Sequence, residues 1–383
     1  MSISRRDAFR LTTAAGLVAL PLNAAGHSER LKITRVEIFK VIVPMQPDII
    51  SSPELGPDTL TEFPGIPKFI VRIRTDSGFE GYGETYRGLE EAAVRRNGAA
   101  LEGRNVFDMN LTRLDLPSRA GYEGFEMALY DAAGKAVGWP VYQLLGGLAQ
   151  PRVLVNYWCG RKNPTDMRRV AERAVKGKFH GIKIKGRPGD PIVKAVEAIA
   201  SVSPALKVTV DFNAHHKTVA EFLPIGKGLD AVGNMLVIED PIVKNDMAGY
   251  RELRRRLKTP IALHLGNSKQ MIAAIKAEAC AIFNTGPESS LASFVSNAYL
   301  AAAAGMPVWH GSGHELGVLD AAMLHSCAAA ANCTLPSDIL SYQRVDDLIV
   351  RPIDIRESYA YPPNRPGLGI ELDEEAVRRY RAA

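Results

Sequence analysis

Two lysines one residue apart, in Lys183-Ile184-Lys185, are the first residues in this chain that could do chemistry. Side chains on a strand alternate in direction, so both ammonium groups share one face. Held together, each lowers the other's proton affinity, and a lysine tuned in this way can act as a general base near neutral pH. Further along, apolar runs end on Asp211 and on Glu239, hard oxygen ligands of the kind that hold Mg²⁺. Later runs end on His264, Asn284 and His310. A lysine base beside a divalent ion suits one reaction class: removal of a proton α to a carboxylate while the ion stabilises the ene-diolate. Strands that emerge into water also become polar. That explains one or two such ends, but not a lysine pair, two acids and two histidines on one rim.

The elements that must position these residues are legible as a repeat. Short β-rich runs fall at 153–157, 181–185, 207–211, 235–239, 260–264, 281–284 and 307–310. Helical patterns such as 166–176, 190–200 and 290–304 fill most of the gaps. Strand alternating with helix implies right-handed βαβ units and a parallel sheet. Seven runs, with a weak eighth near 335–340, predict a TIM-type (β/α) barrel over residues 152–355, and in such barrels the site lies where strands end. No GxGxxG follows the first strand, which weighs against an open dinucleotide-binding sheet. Before the barrel, residues 31–43 alternate apolar with polar. Residues 68–84 repeat that pattern around Thr75-Asp76-Ser77-Gly78, a hairpin signature. Helical patterns follow at 89–98 and 121–137, so 31–147 reads as an α+β domain. The aperiodic stretch 44–64, rich in Pro, Gly, Ser and acids, is long enough to be a functional lid.

Several segments together resemble the enolase superfamily, in its mandelate racemase/muconate lactonising branch. They are Phe125-Glu126-Met127-Ala128-Leu129-Tyr130-Asp131 with 135–147, Lys183-Ile184-Lys185, Val210-Asp211-Phe212-Asn213, Ile238-Glu239-Asp240-Pro241, and Pro366-Gly367-Leu368-Gly369-Ile370-Glu371-Leu372. The resemblance implies an N-terminal capping domain completed by the C-terminal tail 356–383, with 44–64 as the substrate-selecting lid. It also implies Lys185 as base, Lys183 tuning it, and Asp211 and Glu239 as metal ligands. Where the family places a third acid, this chain has Thr259-Pro260-Ile261-Ala262-Leu263-His264-Leu265-Gly266-Asn267. His264 or Asn267 is then the expected third ligand. Either lowers the charge of the cage, and imidazole tilts preference from Mg²⁺ toward Mn²⁺ or Zn²⁺. Racemases of the branch back a seventh-strand His with a sixth-strand Asp; here His310 has only Asn284. Asn orients an imidazole without stabilising its cation, so His310 is expected to be a ready acid. This favours elimination: a dehydratase of a hydroxy acid, plausibly sugar-derived, with a racemase, epimerase or cycloisomerase as the alternative. A barrel that only binds a ligand is the third reading. His314 and Glu315 are the second candidates for the acid role of His310, and with Asn213 they are the expected substrate contacts.

The 383 residues are 46% hydrophobic and 23% charged, with 33 Gly and 24 Pro, the composition of a globular protein with a large core. Residues 1–25 begin with Arg5-Arg6 before Phe9 and Leu11, run through a short apolar stretch and reach Ala24-Ala25. That pattern resembles a twin-arginine leader, and it predicts export to a bacterial periplasm or beyond. The leader carries two of the five net positive charges, so the remaining surplus of +3 argues against nucleic acid. The apolar run is too short to anchor in a bilayer, and the expected partner is a small carboxylate, with a homo-oligomer expected. Cys159, Cys280, Cys327 and Cys333 show no metal spacing and read as buried thiols, a Cys327–Cys333 bridge remaining open. His325 on an apolar helix reads as core, whereas His215 and His216 could reach the site or face solvent.

Overall fold

A computed structural model of the protein describes residues 30–58, 62, 65–286 and 290–382; the leader expected over 1–25 lies outside them. Seven parallel strands follow one another around a sheet in chain order: Tyr157–Trp158, Gly181–Lys185, Lys207–Asp211, Met235–Glu239, Ile261–His264, Ile282–Asn284 and Val308–Trp309. Pro336 has no N–H to give a ladder, so the weak eighth repeat closes the ring through separate bonds. Ser337 N donates to Leu154 O (2.8 Å), Asn156 N to Ser337 O (3.1 Å) and Asp338 N to His310 O (2.7 Å). One expectation needs correction: the run 153–157 is not one barrel strand. Val153–Leu154 pairs antiparallel with Tyr359–Ala360, Val155 makes a single parallel bridge to Ser337, and the paired barrel strand is Tyr157–Trp158.

Helices clothe the strands because each presents one apolar face. Pro164–Lys176 starts where the Asn163 side chain accepts from Asp166 N at 2.8 Å, and it buries Met167, Val170, Ala171 and Ala174 at helical spacing. The central strands are buried on both faces; Ile182 and Ile184 point into the helical layer while Lys183 and Lys185 alternate with them.

The N-terminal domain is a three-stranded antiparallel sheet, Ile33–Val41, Lys68–Thr75 and Glu80–Glu84, with the expected hairpin turn at Gly78 (φ +80°). Helix Tyr122–Val137 lies directly on it. A Cβ at Gly81 or Gly83 would come within 1.9 Å of Ala128 O or 1.8 Å of Gly124 O, so only glycine permits that approach. Two buried carboxylates fasten this domain over the barrel mouth. Glu84 accepts from Leu316 N (2.8 Å) and Leu319 N (2.9 Å) at the start of helix Gly317–Ala329. Glu126 accepts from Ser290 Oγ (2.9 Å) and Leu291 N (2.6 Å) at the start of helix Leu291–Ala303. Both exploit the positive end of a helix. The chain end returns to the same domain, where Leu368 N donates to Asp131 Oδ1 (2.7 Å) and Ala382 N to Lys40 O (2.9 Å).

The described part of the segment expected as a lid rests on the barrel's first loops: Gly160 N donates to Ile49 O (2.7 Å) and Ser52 N to Arg161 O (2.8 Å). Ile49 and Met45 form a buried cluster with Trp158 and Leu340. All four cysteines are free and buried, so Cys327 and Cys333 are not bridged. His325 is core, its ring nitrogens engaged by Tyr142 N (3.3 Å) and Leu368 O (3.1 Å). Among the described residues, no helix is long and apolar enough to cross a membrane.

Candidate active site

A cavity of about 290 Å³ lies where the capping domain covers the strand ends. Its walls are Tyr86 and Arg87 from the cap, Lys183 and Lys185 from the second barrel strand, and Asp211 with Asn213 from the third. Asp240 and Lys244 follow the fourth strand, His264 ends the fifth, Asn284 the sixth, and Ser312, Gly313 and His314 follow the seventh. Every one of these except Gly313 carries a polar side chain. A larger cavity of about 540 Å³ lies between residues 47–53 and helix Pro164–Lys176. It contains none of the strand-end groups, so the chemistry belongs to the smaller one. Backbone strain gathers at the smaller cavity too: Asn213 (φ +47°), Ala214 (+59°), Asp240 (+45°) and His314 (+65°) all occupy the left-handed region.

Lys183 and Lys185 do share a face, and each meets a carboxylate. Lys183 Nζ lies 2.7 Å from Asp338 Oδ2 and 3.0 Å from Glu239 Oε2. Burial opposes its charge, yet Asp338, Glu239 and Asp211 outweigh burial and raise its pKa. Lys183 is therefore a fixed cation, and the mutual depression expected from the sequence is overridden by carboxylates. Lys185 Nζ contacts Asp211 Oδ2 at 2.5 Å. Burial alone would raise the Asp211 carboxyl, but Lys185 and Lys183 bring it well below the usual range. Glu239 is pushed up to about 7 by burial and by Asp211, against the pull of Lys183. Asp240 is raised to about 6 by burial despite Lys244 at 2.9 Å.

The donor atoms that gather closely enough to share an ion are those of Glu239, Asp240 and His264, all within 4.8 Å of one another. Asp211, expected as a ligand, is outside that group and turned to Lys185, whereas Asp240 lies inside it. Asn267 is elsewhere: it caps helix Ser268–Lys276, accepting from Lys269 N at 2.9 Å. Burial, with Lys244 adding to it, lowers His264 to about 3, so its ring is neutral as a ligand must be. Its Nε2 faces Gly286 O, which leaves the lone pair on Nδ1. Two carboxylates and a neutral imidazole fit a divalent ion, with a bias toward Mn²⁺ or Zn²⁺ over Mg²⁺. Lys183 and Lys244 on the same acids reduce the charge that the ion would meet.

The expected acid is displaced. His310 is fully buried, does not line the cavity, and has no partner for either ring nitrogen among the described residues. Asn284 does not orient that ring. It donates to Glu239 Oε1 (2.6 Å) and accepts from Gly286 N (3.2 Å) and Gly311 N (2.9 Å), locking strand ends together. Glu315 is also off the cavity, accepting from Ser312 Oγ and Gly313 N in its own turn. The imidazole that shares the cavity with Lys185 is His314. Its Nδ1 is 2.6 Å from Gln343 Oε1, an oxygen that only accepts, so Nδ1 carries the proton and Nε2 the lone pair. Burial lowers its pKa well below normal. Arg87, Lys185 and Arg344 add to that, outweighing the Gln343 bond. Its ring stands edge-on to Trp158 at 4.8 Å. His216 packs against Phe212 and Phe222, and His215 is exposed; neither lines the cavity.

Sequence reasoning missed Asp338, Asp240, Lys244, Arg87 and Gln343. Asp240 had a usable signal, since it immediately follows a strand that ends in an acid; Lys244 lies four residues further on. Asp338 sits on the irregular eighth repeat, and Arg87 and Gln343 lie in loops with no local pattern.

Residues 166–376 match the family described as Enolase C-terminal domain-like. An N-succinylamino acid racemase of Thermus thermophilus is 30% identical over 328 residues, covering 78% of this chain and 87% of that protein. A D-galactonate dehydratase of Variovorax paradoxus is 27% identical, covering 80% and 89%. Muconate lactonizing enzyme from Pseudomonas fluorescens superposes with a TM-score of 0.81 at 22% identity, covering 92% of this chain and all of the other.

Proposed function

The chain belongs to the enolase superfamily, in its mandelate racemase/muconate lactonising branch, and from that premise we propose that it is a dehydratase of a polyhydroxylated carboxylic acid. The observation that carries this reading is the cavity wall, polar at every side chain, with a lysine and a neutral histidine in it. Such a wall offers hydrogen-bond partners on every side to a substrate bearing hydroxyl groups. The relatives include dehydratases as well as racemases, which supports elimination without selecting it.

The roles of the two proton carriers follow from their environments. His314, kept neutral, can accept a proton at Nε2; it is poorly suited to donate one. Lys185, ion-paired with Asp211, is an ammonium and can donate. His314 thus takes the α-proton, the β carbon–oxygen bond breaks, and Lys185 protonates the departing hydroxide to water. The resulting enol tautomerises to a 2-keto acid, and a proton passed from His314 back to Lys185 restores the resting state. This exchanges the roles read from the sequence, where Lys185 was the base. Glu239, Asp240 and His264 are the residues that would hold a divalent ion, which when bound would neutralise the substrate carboxylate and stabilise the ene-diolate. Lys183 stays charged beside Glu239 and adds fixed positive potential. Arg87 and Lys244 supply cationic contacts for the rest of the acid.

The test is incubation with a library of acid sugars. Formation of a 2-keto acid supports dehydration. Inverted configuration at the α-carbon with no loss of water supports the second reading, a racemase or epimerase, which the racemase relatives favour. The Arg5-Arg6 leader supports a periplasmic location, which a fusion of residues 1–30 to a reporter would check.

A further inference from the structure

The lid is tied to the proton-transfer centre by an unbroken chain of polar contacts. Asp58 in the lid and Arg187 just past the second barrel strand are both more than nine-tenths buried, and Arg187 Nη2 lies 2.7 Å from Asp58 Oδ2. The same nitrogen donates to Asn213 Oδ1 at 3.1 Å, and Nη1 donates to Gly186 O at 2.8 Å. Asn213 in turn donates from its side chain to Asp211 Oδ2 (3.1 Å) and from its backbone to Oδ1 (2.8 Å). Asp211 Oδ2 is the oxygen that contacts Lys185. Lid carboxylate, guanidinium, amide, carboxylate and ammonium therefore form one continuous line. A second tie runs beside it: Asp190 accepts two bonds from Arg161 (2.8 and 2.6 Å) and one from Arg187 N (2.9 Å), and Arg161 O holds Ser52 N of the lid.

We propose that Asp58 and Arg187 are positioning residues that couple closure of the lid to the orientation of Asp211, and through it to Lys185. A buried guanidinium must keep an anionic partner, because an uncompensated charge there is costly. With Asp58 in place, Arg187 is satisfied at the lid and presents Asn213 to Asp211. With the lid carboxylate withdrawn, Arg187 needs another anion; Asp190 beside it is already taken by Arg161, and Asp211 lies one amide away through Asn213, so Arg187 competes with Lys185 for Asp211. Lys185 then loses the partner that keeps it an oriented proton donor, so the chemistry is licensed only under a closed lid. Asn213 is held in the left-handed region at φ +47°, which fixes its amide between the two charges.

This inference rests on the proton-transfer reading above, so its experiment has one arm that needs turnover and one that does not. In the first, Asp58→Asn, Arg187→Lys and Asn213→Ala are compared with wild type by separate kcat and KM. Each is expected to lower kcat by roughly tenfold to a hundredfold, as loss of an outer partner of a reacting group does, with KM changed less. Asp58→Asn with Asn213→Ala is expected to be no worse than the poorer single variant, since both break one line. A rise in KM with kcat intact would show that the lid merely retains substrate, and multiplicative effects would show independent residues; either overturns the coupling. In the second arm, the full-length protein is treated with an amine-acylating reagent and Lys185 is quantified by mass spectrometry. Asp58→Asn and Asn213→Ala are expected to change Lys185 labelling equally while Lys244 labelling is unaltered. Unchanged Lys185 labelling overturns the coupling. If wild type converts no acid at all, the functional reading fails while this second arm still decides the latch.

Discussion

Replacing Asp338 by Asn tests whether the buried Lys183 is a fixed cation held by carboxylates. The pair is 2.7 Å apart with both side chains almost fully buried. At that distance, with an effective dielectric constant of ~20, the attraction is about 6 kcal/mol. Asn keeps a dipole in the same place and Glu239 remains at 3.0 Å. The expected net loss is therefore about 3–5 kcal/mol, as for breaking other buried pairs. That corresponds to a fall in melting temperature of roughly 4–7 °C at pH 7, read by scanning calorimetry. Lys183→Met should cost more, because it strands two acids. Asp338→Asn added to it should give back part of the loss, since only Glu239 then remains, and its carboxyl at about 7 can take a proton. An Asp338→Asn loss below about 0.5 kcal/mol, or a double variant equal to the sum of the singles, refutes the reasoning.

Three further outcomes follow from the same coordinates. Burial pushes Glu126 up to about 8, against its bonds to Ser290, Leu291 and Ala292. A carboxyl raised in the folded state gives stability that is full below about 4.5 and is lost as pH rises toward 8, a difference of at most roughly 5 kcal/mol. Glu126→Gln, which keeps the acceptor for Leu291 N, should therefore flatten the decline in denaturation midpoint between pH 5 and 8; an unaltered slope counts against it. Lys185→Met and His314→Asn should each lower kcat by about 10²–10⁴; Lys185→Met, which strands the buried Asp211, should also lower the melting temperature, whereas His310→Gln should act mainly on stability. Gly83→Ala places a methyl 1.8 Å from Gly124 O and should destabilise the capping domain by roughly 1–3 kcal/mol or more in a denaturant titration.

The barrel was legible because its repeat is local: each strand is a short apolar run and each helix carries a 3.6-residue stripe, so neighbours in sequence are neighbours in space. The eighth strand was faint for a physical reason, since Pro336 prevents a ladder and leaves Ser337 and Asp338 joined by single bonds. The strand-end groups Lys183, Lys185, Asp211 and Glu239 were found through the same periodicity. Their partners were not, because an ion pair such as Lys183 with Asp338 spans 155 residues and leaves no mark in either segment. In the Gly-rich stretch after the seventh strand the periodicity favours His310 and leaves His314 second, whereas the chain buries His310 and brings His314 to the cavity. Local pattern identified the rim, whereas which rim residue faces inward depended on turns that periodicity does not encode.

The division of labour between the two proton carriers is tested most directly by following the α-hydrogen of the substrate in D₂O with Lys185→Met and His314→Asn. If the histidine removes the proton and the lysine serves the leaving hydroxyl, Lys185→Met exchanges the α-hydrogen for deuterium yet releases no 2-keto acid, and His314→Asn does neither. Exchange that survives in His314→Asn and vanishes in Lys185→Met would contradict the account.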